Sequence, residues 1–332
     1  MSHPAPPQPR TLAILGAGHM ARAVARIARA ANVRTLLWAR RAEAAADIAA
    51  HVDGVEVAGT VGDACTPADV VFVAVPAHAF AEVIQAYGAL ARADHILLHA
   101  TRGVGEGFAL PHALVRRECC VRKIGALGGP LYARELGSGR PLAAVIASRF
   151  DEVHTTLAAL AARAALHLYP SGDVLGVEVA GAMSNVAAIA AGMADGLDLG
   201  ETARGLLLMR GLHEATLLGC ALGADPATFA GLAGVGDLVP RRVSSTFRHR
   251  DLGTKVARGI PLAEALVTAQ GHVEGVTTAR EAQERAHVLG LRLPLVNAVS
   301  QVLLGDAEPK QQLEAVLAES FDLGATLTRR AS

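Results

Sequence analysis

One stretch near the start of the chain decides the predicted fold: Leu12-Ala13-Ile14-Leu15-Gly16-Ala17-Gly18-His19-Met20-Ala21. Its apolar first half is typical of a buried β-strand, and the glycines that follow are typical of a tight turn leading into a helix. Gly16 allows the turn, Gly18 lets the backbone approach a pyrophosphate, and the small side chain of Ala21 lets the helix pack closely on the strand. The stretch therefore predicts the first strand and helix of a domain that binds a dinucleotide.

The residues on either side of this turn agree with the prediction. A helix N-terminus offers unpaired N–H groups and the positive end of the helix dipole, so we expect His19 and Met20 to help bind the phosphates. A second apolar run at residues 35–38 follows one helix length later, as a βαβ unit requires. An ordinary tight turn is the alternative for a glycine pattern taken alone. The Pro-rich residues 1–10 are predicted to be a disordered tail.

Composition and charge exclude several classes of protein. With 332 residues, 52% of them hydrophobic, the chain can bury a large core and form two domains. Its 31 basic and 31 acidic residues cancel, and no basic stretch is interleaved with aromatic residues, so nucleic acid and anionic membranes are not expected partners. No uninterrupted apolar stretch reaches the roughly 18 residues of a membrane span, and the N-terminus lacks a signal-peptide pattern, which predicts a cytoplasmic protein.

The cysteines also agree with a cytoplasmic protein. The chain has four of them, Cys65, Cys119, Cys120 and Cys220. Their spacing matches neither a zinc site nor a disulfide framework, so we expect reduced thiols and no metal.

Four further apolar runs are typical of strands in a mostly parallel sheet: residues 70–75, 96–100, 123–127 and 142–147. Ligands of an open α/β sheet bind outside the carboxyl ends of its strands. The loops at residues 76–78 and 101–105 are therefore expected to face the cofactor.

Beyond residue 170 the pattern changes from strands to helices. Alanine, leucine and glycine dominate at helical spacing, and residues 173–194 carry apolar side chains all round, which predicts a helix buried on every side. We therefore expect an α/β Rossmann domain with a mostly parallel, doubly wound sheet over residues 11–170. An all-α domain for substrate binding and dimerisation is expected over residues 171–332.

The end of the second predicted strand bears on the choice of cofactor. Proteins specific for NAD usually place an acidic residue here, against the ribose 2′-hydroxyl, whereas this chain has Arg40 and Arg41. Two arginines suit a 2′-phosphate, although one of them could be a solvated residue at a helix start. The sequence thus predicts NADP as the cofactor, with NAD as the alternative.

Five motifs lie along the rest of the chain: Gly129-Pro130-Leu131-Tyr132-Ala133-Arg134-Glu135, Gly181-Ala182-Met183-Ser184-Asn185, Arg210-Gly211-Leu212-His213-Glu214, residues 231–238 and residues 273–279. With the glycine turn, they resemble the soluble NAD(P)-dependent glycerol-3-phosphate dehydrogenase family, whose motifs read SGPSFAxE, GALKN, RGLxE, GLAGxGDL and EGVxTA. The resemblance runs from about residue 11 to about residue 317. It implies substrate bound between a Rossmann domain and a helical domain, hydride exchange between NAD(P)H and dihydroxyacetone phosphate, and a homodimer.

The resemblance also implies roles for individual residues. It gives substrate contacts to Gly129, Asn185, Asp237 and Arg248, and cofactor contacts to Ala133, Arg248 and Glu274. Arg241 stands where the family usually has threonine, and together with Arg102 and Arg248 it suggests a site for a phosphate or carboxylate. For Asp237, capping a helix or pairing with one of these arginines is the alternative role.

Two positions depart from the family pattern where it has lysines. Arg102 replaces the lysine of TKG, and Ser184 replaces the GALKN lysine that serves as proton donor and acceptor. A serine hydroxyl cannot by itself supply a proton near neutral pH. The catalytic candidates are therefore Ser184 acting through a relay, His249, because an unperturbed imidazole titrates near pH 6.5, and Arg102 as an electrostatic stabiliser.

Each of these candidates has a plainer alternative. Ser184 could be a packing residue bonded back to a carbonyl, and His249 could be a surface residue of an arginine-rich loop. We expect an NADPH-dependent reductase of a small anionic carbonyl compound, with dihydroxyacetone phosphate as the default substrate. The alternatives are a reductase of a different substrate and a protein that binds NADP(H) without catalysis.

Overall fold

The computed structural model of the protein describes residues 9–136, 140–239, 245–269 and 271–320, and the side chains of residues 248 onward within the third range. Residues 1–8 of the predicted tail lie outside the described residues. The backbone N–H of Arg10 donates to the Asp69 carboxylate at 2.7 Å, so Arg10 already belongs to the folded chain. Two compact units form: residues 9–101 with 111–177, and residues 102–110 with 178–320.

The first unit contains all eight described strands: β1 (Thr11–Leu15), β2 (Arg34–Trp38), β3 (Val55–Val57), β4 (Val70–Val73), β5 (Ile96–His99), β6 (Lys123–Gly128), β7 (Leu142–Ala147) and β8 (Leu166–Ser171). Its helices are α1 (His19–Ala30), α2 (Ala42–His51), α3 (Val61–Cys65), α4 (Ala77–Gly88), α5 (Pro111–Glu118) and α6 (Asp151–Ala161). The strands form one sheet in the order β3-β2-β1-β4-β5-β6-β7-β8.

The sheet confirms the predicted α/β class. Neighbouring strands are parallel throughout, except that β6 and β7 pair antiparallel. The order of the first six strands is that of a doubly wound dinucleotide-binding sheet, in which the chain reverses its direction of growth between β1 and β4. The loops after β1 and β4 are therefore the place where a ligand is expected.

The predicted central strands are confirmed, whereas two edge strands were missed. β3 has only three residues and is mostly exposed, and β8 alternates between half-buried and exposed side chains. Neither presents the continuous apolar run that marks β4 and β5, whose residues are all buried. An edge strand needs no apolar run because fewer of its side chains enter the core.

The core of the first unit packs the helices against the sheet. Leu12, Ile14, Phe72 and Leu98 are almost fully buried in it, together with the alanines of α1. Burying a side chain of this size contributes roughly 1.5–3 kcal/mol. The alanine face of α1 lets the helix lie close to β1, which fixes the position of the turn between them.

The second unit is helical and begins within a long helix. Its helices are α7 (Val174–Gly196), whose first residues belong to the first unit, α8 (Gly200–Leu222), α9 (Pro226–Ala230), α10 (Val235–Leu238), α11 (Ser245–Ala257), α12 (Leu262–Val267), α13 (Glu274–Val288), α14 (Pro294–Leu304) and α15 (Pro309–Ala318). A 3₁₀ turn (Glu106–Phe108) belongs to the same unit. No strand follows Ser171 in the described part of the chain, as the sequence predicts.

The predicted buried helix is confirmed as α7. A Cβ at Gly192 would collide with the Arg250 carbonyl, and one at Gly253 would collide with the Ile189 carbonyl, so these glycines let α7 and α11 cross in close contact. By length and hydropathy α7 could cross a membrane, which the sequence analysis did not anticipate. Most of it is buried inside the protein, as in the core helix of a globular fold.

A buried carboxyl group joins two helices of this unit. Glu214 of α8 accepts the N–H groups of Leu295 and Val296 at 2.7 and 2.9 Å, at the start of α14. Burial raises its pKa from the usual 4.5 to about 7, against the opposing effect of these two N–H groups and of Arg210.

We expect this group to make the native state less stable as the pH rises. The native carboxyl keeps its proton up to about pH 7, whereas the unfolded one loses it near pH 4.5. The resulting contribution is complete below pH 4.5, decreases as the pH rises and is lost above the native value, for a total of about 3 kcal/mol. Urea unfolding at pH 5 and pH 8 should show this decrease in the wild type and a much smaller one in Glu214→Gln. The control is Glu308→Gln, at the exposed start of α15, which should behave like the wild type.

Candidate active site

The first glycine of the turn after β1 is required by the backbone. Gly16 has φ +119°, and a Cβ placed there would lie 2.5 Å from the Ala74 carbonyl oxygen. Its N–H donates to the Trp38 carbonyl at 2.8 Å. Gly16 thus joins the carboxyl ends of β1, β2 and β4 at the point where the sheet reverses its order.

The second glycine leaves space beside the start of α1. A Cβ on Gly18 would have no heavy atom within 4 Å, and its backbone, at φ −85° and ψ −174°, is extended. Within α1, which is described in full, no side chain caps the N-terminus and the first turn carries no acidic residue. The open N–H groups and the helix dipole fit a pyrophosphate.

The neighbours of these glycines have different surroundings. Ala21 is fully buried and His19 is exposed. The side chain of Met20 packs against the core, so a phosphate contact from this residue would come from its backbone N–H. Ala21 therefore fits the predicted packing role, and the residues before it form the candidate phosphate site.

The two predicted 2′-phosphate residues lie on the surface after β2. Arg40 is 3.7 Å from Glu82 in an exposed ion pair, which contributes little in water. Arg41 is the residue before α2, with an extended backbone. Both side chains are exposed, at the same edge of the sheet as the glycine turn.

The loop after β6 carries the other predicted contacts of the first unit. Gly129 has φ +81°, and its carbonyl accepts the Leu131 N–H at 2.7 Å, so the chain turns sharply there. Leu131 is buried in the apolar core. Ala133 is half-buried and packs against the same core. Leu131, which stands at the second serine of the family motif SGPSFAxE, therefore packs within the first unit's own core.

Three polar side chains of the second unit meet around Arg102. Arg102 donates from Nη2 to the Ser184 hydroxyl at 3.0 Å and to the Asp237 carboxylate. Asn185 donates from Nδ2 to the Arg102 carbonyl at 2.7 Å. Of the predicted site residues, these four are the ones that the structure brings together, although Asp237 lies 135 positions from Arg102 in sequence.

Two acceptor atoms in this cluster are left without a donor. Asp237 Oδ1 and Asn185 Oδ1 are buried and find no hydrogen-bond partner among the described residues. A buried polar atom without a partner is costly, and it is satisfied when a ligand supplies the missing donor. The cluster therefore fits a ligand that carries hydroxyl or other N–H and O–H donors.

The plainer alternative for Ser184 is observed, and the one for His249 is wrong. Ser184 donates its hydroxyl to the Gly181 carbonyl at 2.9 Å, one turn back along α7. His249 is buried rather than on the surface, and its Nε2 accepts the Gly275 N–H at 3.1 Å. The imidazole thus holds the first turn of α13, beside the half-buried Glu274.

One arginine of the cluster predicted to bind an anion has a carboxylate as its partner. Arg102 pairs with Asp237, so its charge is already balanced. Arg248 donates from Nη1 to the His272 carbonyl at 3.2 Å, in the loop before α13. Arg241 lies outside the described residues.

Sequence reasoning missed the residue that holds the loop after Arg102. Glu281 is buried and accepts the N–H of Gly107 at 2.7 Å and that of Phe108 at 3.4 Å. Both loop residues have positive φ, a backbone that a fixed acceptor can hold in place. The sequence of α13 could have predicted that Glu281 is buried, because helical spacing puts it on the face of Thr278 and Ala282, which are buried.

Two family models and relatives from other organisms match this chain over most of its length. The family model for the NAD-dependent glycerol-3-phosphate dehydrogenase N-terminus matches residues 11–154, and that for its C-terminus matches residues 173–314. A glycerol-3-phosphate dehydrogenase [NAD(P)+] of Halothermothrix orenii is 37% identical over 259 residues, 77% of this chain and 76% of that protein. One of Methylobacillus flagellatus is 37% identical over 322 residues, 92% of this chain and 97% of that protein.

A solved structure is also similar along most of the chain. The glycerol-3-phosphate dehydrogenase of Coxiella burnetii superposes with a TM-score of 0.87 at 27% identity, covering 93% of this chain and 99% of that one. Sequence and fold agree over both units, so this chain belongs to the NAD-dependent glycerol-3-phosphate dehydrogenase family.

Proposed function

We propose that this protein is an NADP(H)-dependent oxidoreductase that interconverts a small anionic carbonyl compound and its alcohol, with dihydroxyacetone phosphate and glycerol 3-phosphate as the substrate pair. NAD(H) is the alternative cofactor. Family membership supports the class of reaction, since the relatives are named glycerol-3-phosphate dehydrogenase [NAD(P)+]. The observation that carries the choice of substrate is the pair of buried acceptors, Asp237 Oδ1 and Asn185 Oδ1, which suits a substrate with hydroxyl donors.

The cofactor belongs to the first unit in this proposal. Gly16, Gly18 and the start of α1 hold the pyrophosphate, and Arg40 and Arg41 hold the 2′-phosphate. When bound, the nicotinamide exchanges a hydride with the carbon of the substrate's carbonyl or alcohol group. We assign cofactor binding to residues 11–170 and substrate binding to residues 171–332, with Arg102 and its loop serving the second group.

The substrate site then consists of the cluster around Arg102. Its guanidinium polarises the substrate oxygen electrostatically, while Asn185 and Asp237 accept hydrogen bonds from hydroxyl groups. Gly129 and Ala133 are assigned to the substrate and cofactor, and Arg248 and Glu274 to the cofactor, on the family resemblance alone. Since Asp237 balances the charge of Arg102, the anionic end of the substrate is assigned to Arg248 and Arg241.

A second candidate is the same chemistry on a different small anionic carbonyl compound. The observation that favours it is the Arg102–Ser184 contact, at two positions where the family pattern has lysines. A planar guanidinium and a hydroxyl present a different shape and a different set of donors from two ammonium groups.

The test follows the absorbance of NADPH with dihydroxyacetone phosphate, and of NADP⁺ with glycerol 3-phosphate in reverse. The Methylobacillus flagellatus relative, at equal concentration, is the positive control. Turnover comparable to that of the relative would support the proposed substrate. Binding of NADPH without turnover would contradict it, and a panel of other small keto and hydroxy acids would then separate an altered reductase from a non-catalytic protein.

We expect Arg40→Ala and Arg41→Ala each to weaken NADPH binding about tenfold and to leave NADH binding unchanged, because a charged hydrogen bond to the 2′-phosphate is lost. Tryptophan fluorescence titration with both cofactors measures this. Arg34→Ala is the matched control, since Arg34 is also an exposed arginine in an ion pair, at the opposite end of β2. Equal loss of NADPH and NADH affinity in the variants at 40 and 41 would contradict the assignment.

The proposal extends to the compartment and the assembly of the enzyme. The four cysteines are free thiols, which supports a reducing, cytoplasmic compartment. The balanced charge gives no support for a nucleic acid or membrane partner. A homodimer rests on the resemblance, and light scattering coupled to size exclusion tests it.

A further inference from the structure

The cluster around Arg102 contains one side chain that can act as both acid and base. At ordinary pH a guanidinium stays charged, an amide stays neutral and a serine hydroxyl does not ionise. That leaves the carboxylate of Asp237. Among the described residues, Arg102 from the loop before the 3₁₀ turn faces it and also donates to Ser184 of α7, with Asn185 beside them. A small cavity next to α10 is lined from α8 by Gly211, Leu212 and Ala215, which do not titrate.

The two oxygens of this carboxylate have different surroundings. Oδ2 accepts from Arg102, which fixes the carboxylate plane and favours its charged form. Oδ1 is buried and has no partner among the described residues. The side chain of Asp237 has no exposed surface, so water does not replace the missing partner. One oxygen is thus held in place, and the other is left as an acceptor for a group that the substrate brings.

The other candidates for proton transfer are engaged in structural contacts. The Ser184 hydroxyl donates to the Gly181 carbonyl and accepts from Arg102. His249 uses its Nε2 to accept the Gly275 N–H, so that atom cannot also accept a substrate proton. The Ser184 hydroxyl and His249 Nε2 are therefore already used in contacts within the protein, whereas Asp237 Oδ1 is not.

Resting on the proposed function, we propose that Asp237 Oδ1 is the proton acceptor in alcohol oxidation and the proton donor in the reverse reaction. In oxidation, the substrate O–H bond breaks and its proton passes to Oδ1. The hydrogen on the carbinol carbon leaves with two electrons to the oxidised nicotinamide, and the carbon–oxygen bond becomes a double bond. Carbonyl reduction returns the proton from Oδ1 to the oxygen. Arg102 keeps the carboxylate charged between turnovers.

The test measures kcat for glycerol 3-phosphate oxidation against pH in the wild type, Asp237→Asn and Asp237→Glu. The wild type should lose activity on the acidic side as Oδ1 becomes protonated. Asp237→Asn should lower kcat by 10²–10⁴-fold and abolish this acidic limb, whereas Asp237→Glu should keep the limb and recover part of the rate. Arg102→Gln should move the limb to higher pH, because the charge that favours the carboxylate is gone.

Two further measurements separate a chemical role from a structural one. Ser184→Ala removes a hydroxyl but no titrating group, so its acidic limb should stay at the wild-type pH. Calorimetric affinity for glycerol 3-phosphate should fall at acidic pH more steeply in the wild type than in Asp237→Asn. Comparing the two proteins at each pH cancels the titration of the phosphate itself. Binding of NADPH to each variant shows that the first unit is folded.

The outcomes distinguish this assignment from the function on which it rests. No turnover by the wild type would overturn the proposed function, and the assignment with it. Turnover by the wild type together with an unchanged acidic limb in Asp237→Asn would overturn only the assignment. Should Asp237→Asn fail to fold, the acidic limb of Arg102→Gln decides the question, since its shift to higher pH is not expected unless Asp237 carries the proton.

Discussion

Replacing Arg102 with methionine should lower the free energy of unfolding by about 3–5 kcal/mol, because the Asp237 carboxylate would remain buried without its counter-ion. Asp237 has no exposed side-chain surface, and the side chain of Arg102 is only 15% exposed. Methionine keeps the apolar stem that packs beside Gly181 and removes only the charge. Urea unfolding followed by far-ultraviolet circular dichroism measures the change.

For the Arg102–Asp237 pair, we also expect that a second substitution restores stability. The double variant Arg102→Met/Asp237→Leu should be several kcal/mol more stable than the sum of its single variants implies, because no buried charge is left unpaired. The matched control is Arg34 with Glu56, joined by two hydrogen bonds of 2.8 Å but half-exposed. Removing Arg34 should change stability far less. If Arg102→Met were as mild as Arg34→Met, water would have to reach Asp237.

The sequence was sufficient to predict structural features that depend on residues close together in the chain. The strand, glycine turn and helix at residues 12–21 form a local unit, since Gly16 and Gly18 lie directly between β1 and α1. The burial of α7 was equally readable, because apolar side chains all round a helix leave no face for water. The edge strand β8 was not, because half of its side chains are exposed.

The predicted site was less complete because its contacts join distant parts of the chain. Counting arginines grouped Arg102 with Arg241 and Arg248, but pattern alone could not decide between an anion and Asp237 as the partner of Arg102. The structure supplies that choice. The surface alternative for His249 was wrong for a similar reason: Arg248 and Arg250 on either side of it suggest solvent, whereas the helix turns its own ring towards Gly275.

The two glycines of the turn should respond to substitution in opposite ways. Gly16→Ala should destabilise the protein by about 3 kcal/mol or more, since φ +119° strains any side-chain-bearing residue and the new Cβ would lie 2.5 Å from the Ala74 oxygen. Gly18→Ala should leave stability within about 0.5 kcal/mol of wild type, because its backbone is extended and the space beside it is open. Thermal unfolding of the proteins without cofactor separates the two.

Gly18→Asp should stabilise the cofactor-free protein while abolishing its affinity for NADPH. Gly18 is the N-cap residue of α1, where an aspartate accepts an N–H of the first turn and contributes roughly 0.5–1 kcal/mol. The same carboxylate takes the N–H groups meant for the pyrophosphate and repels its charge, so NADPH binding should weaken at least ~100-fold. Gly18→Asn caps the helix without the charge and should lose less affinity. A Gly18→Asp protein that is more stable and still binds NADPH would place the pyrophosphate away from α1, whereas loss of both properties would mean that the aspartate distorts the turn.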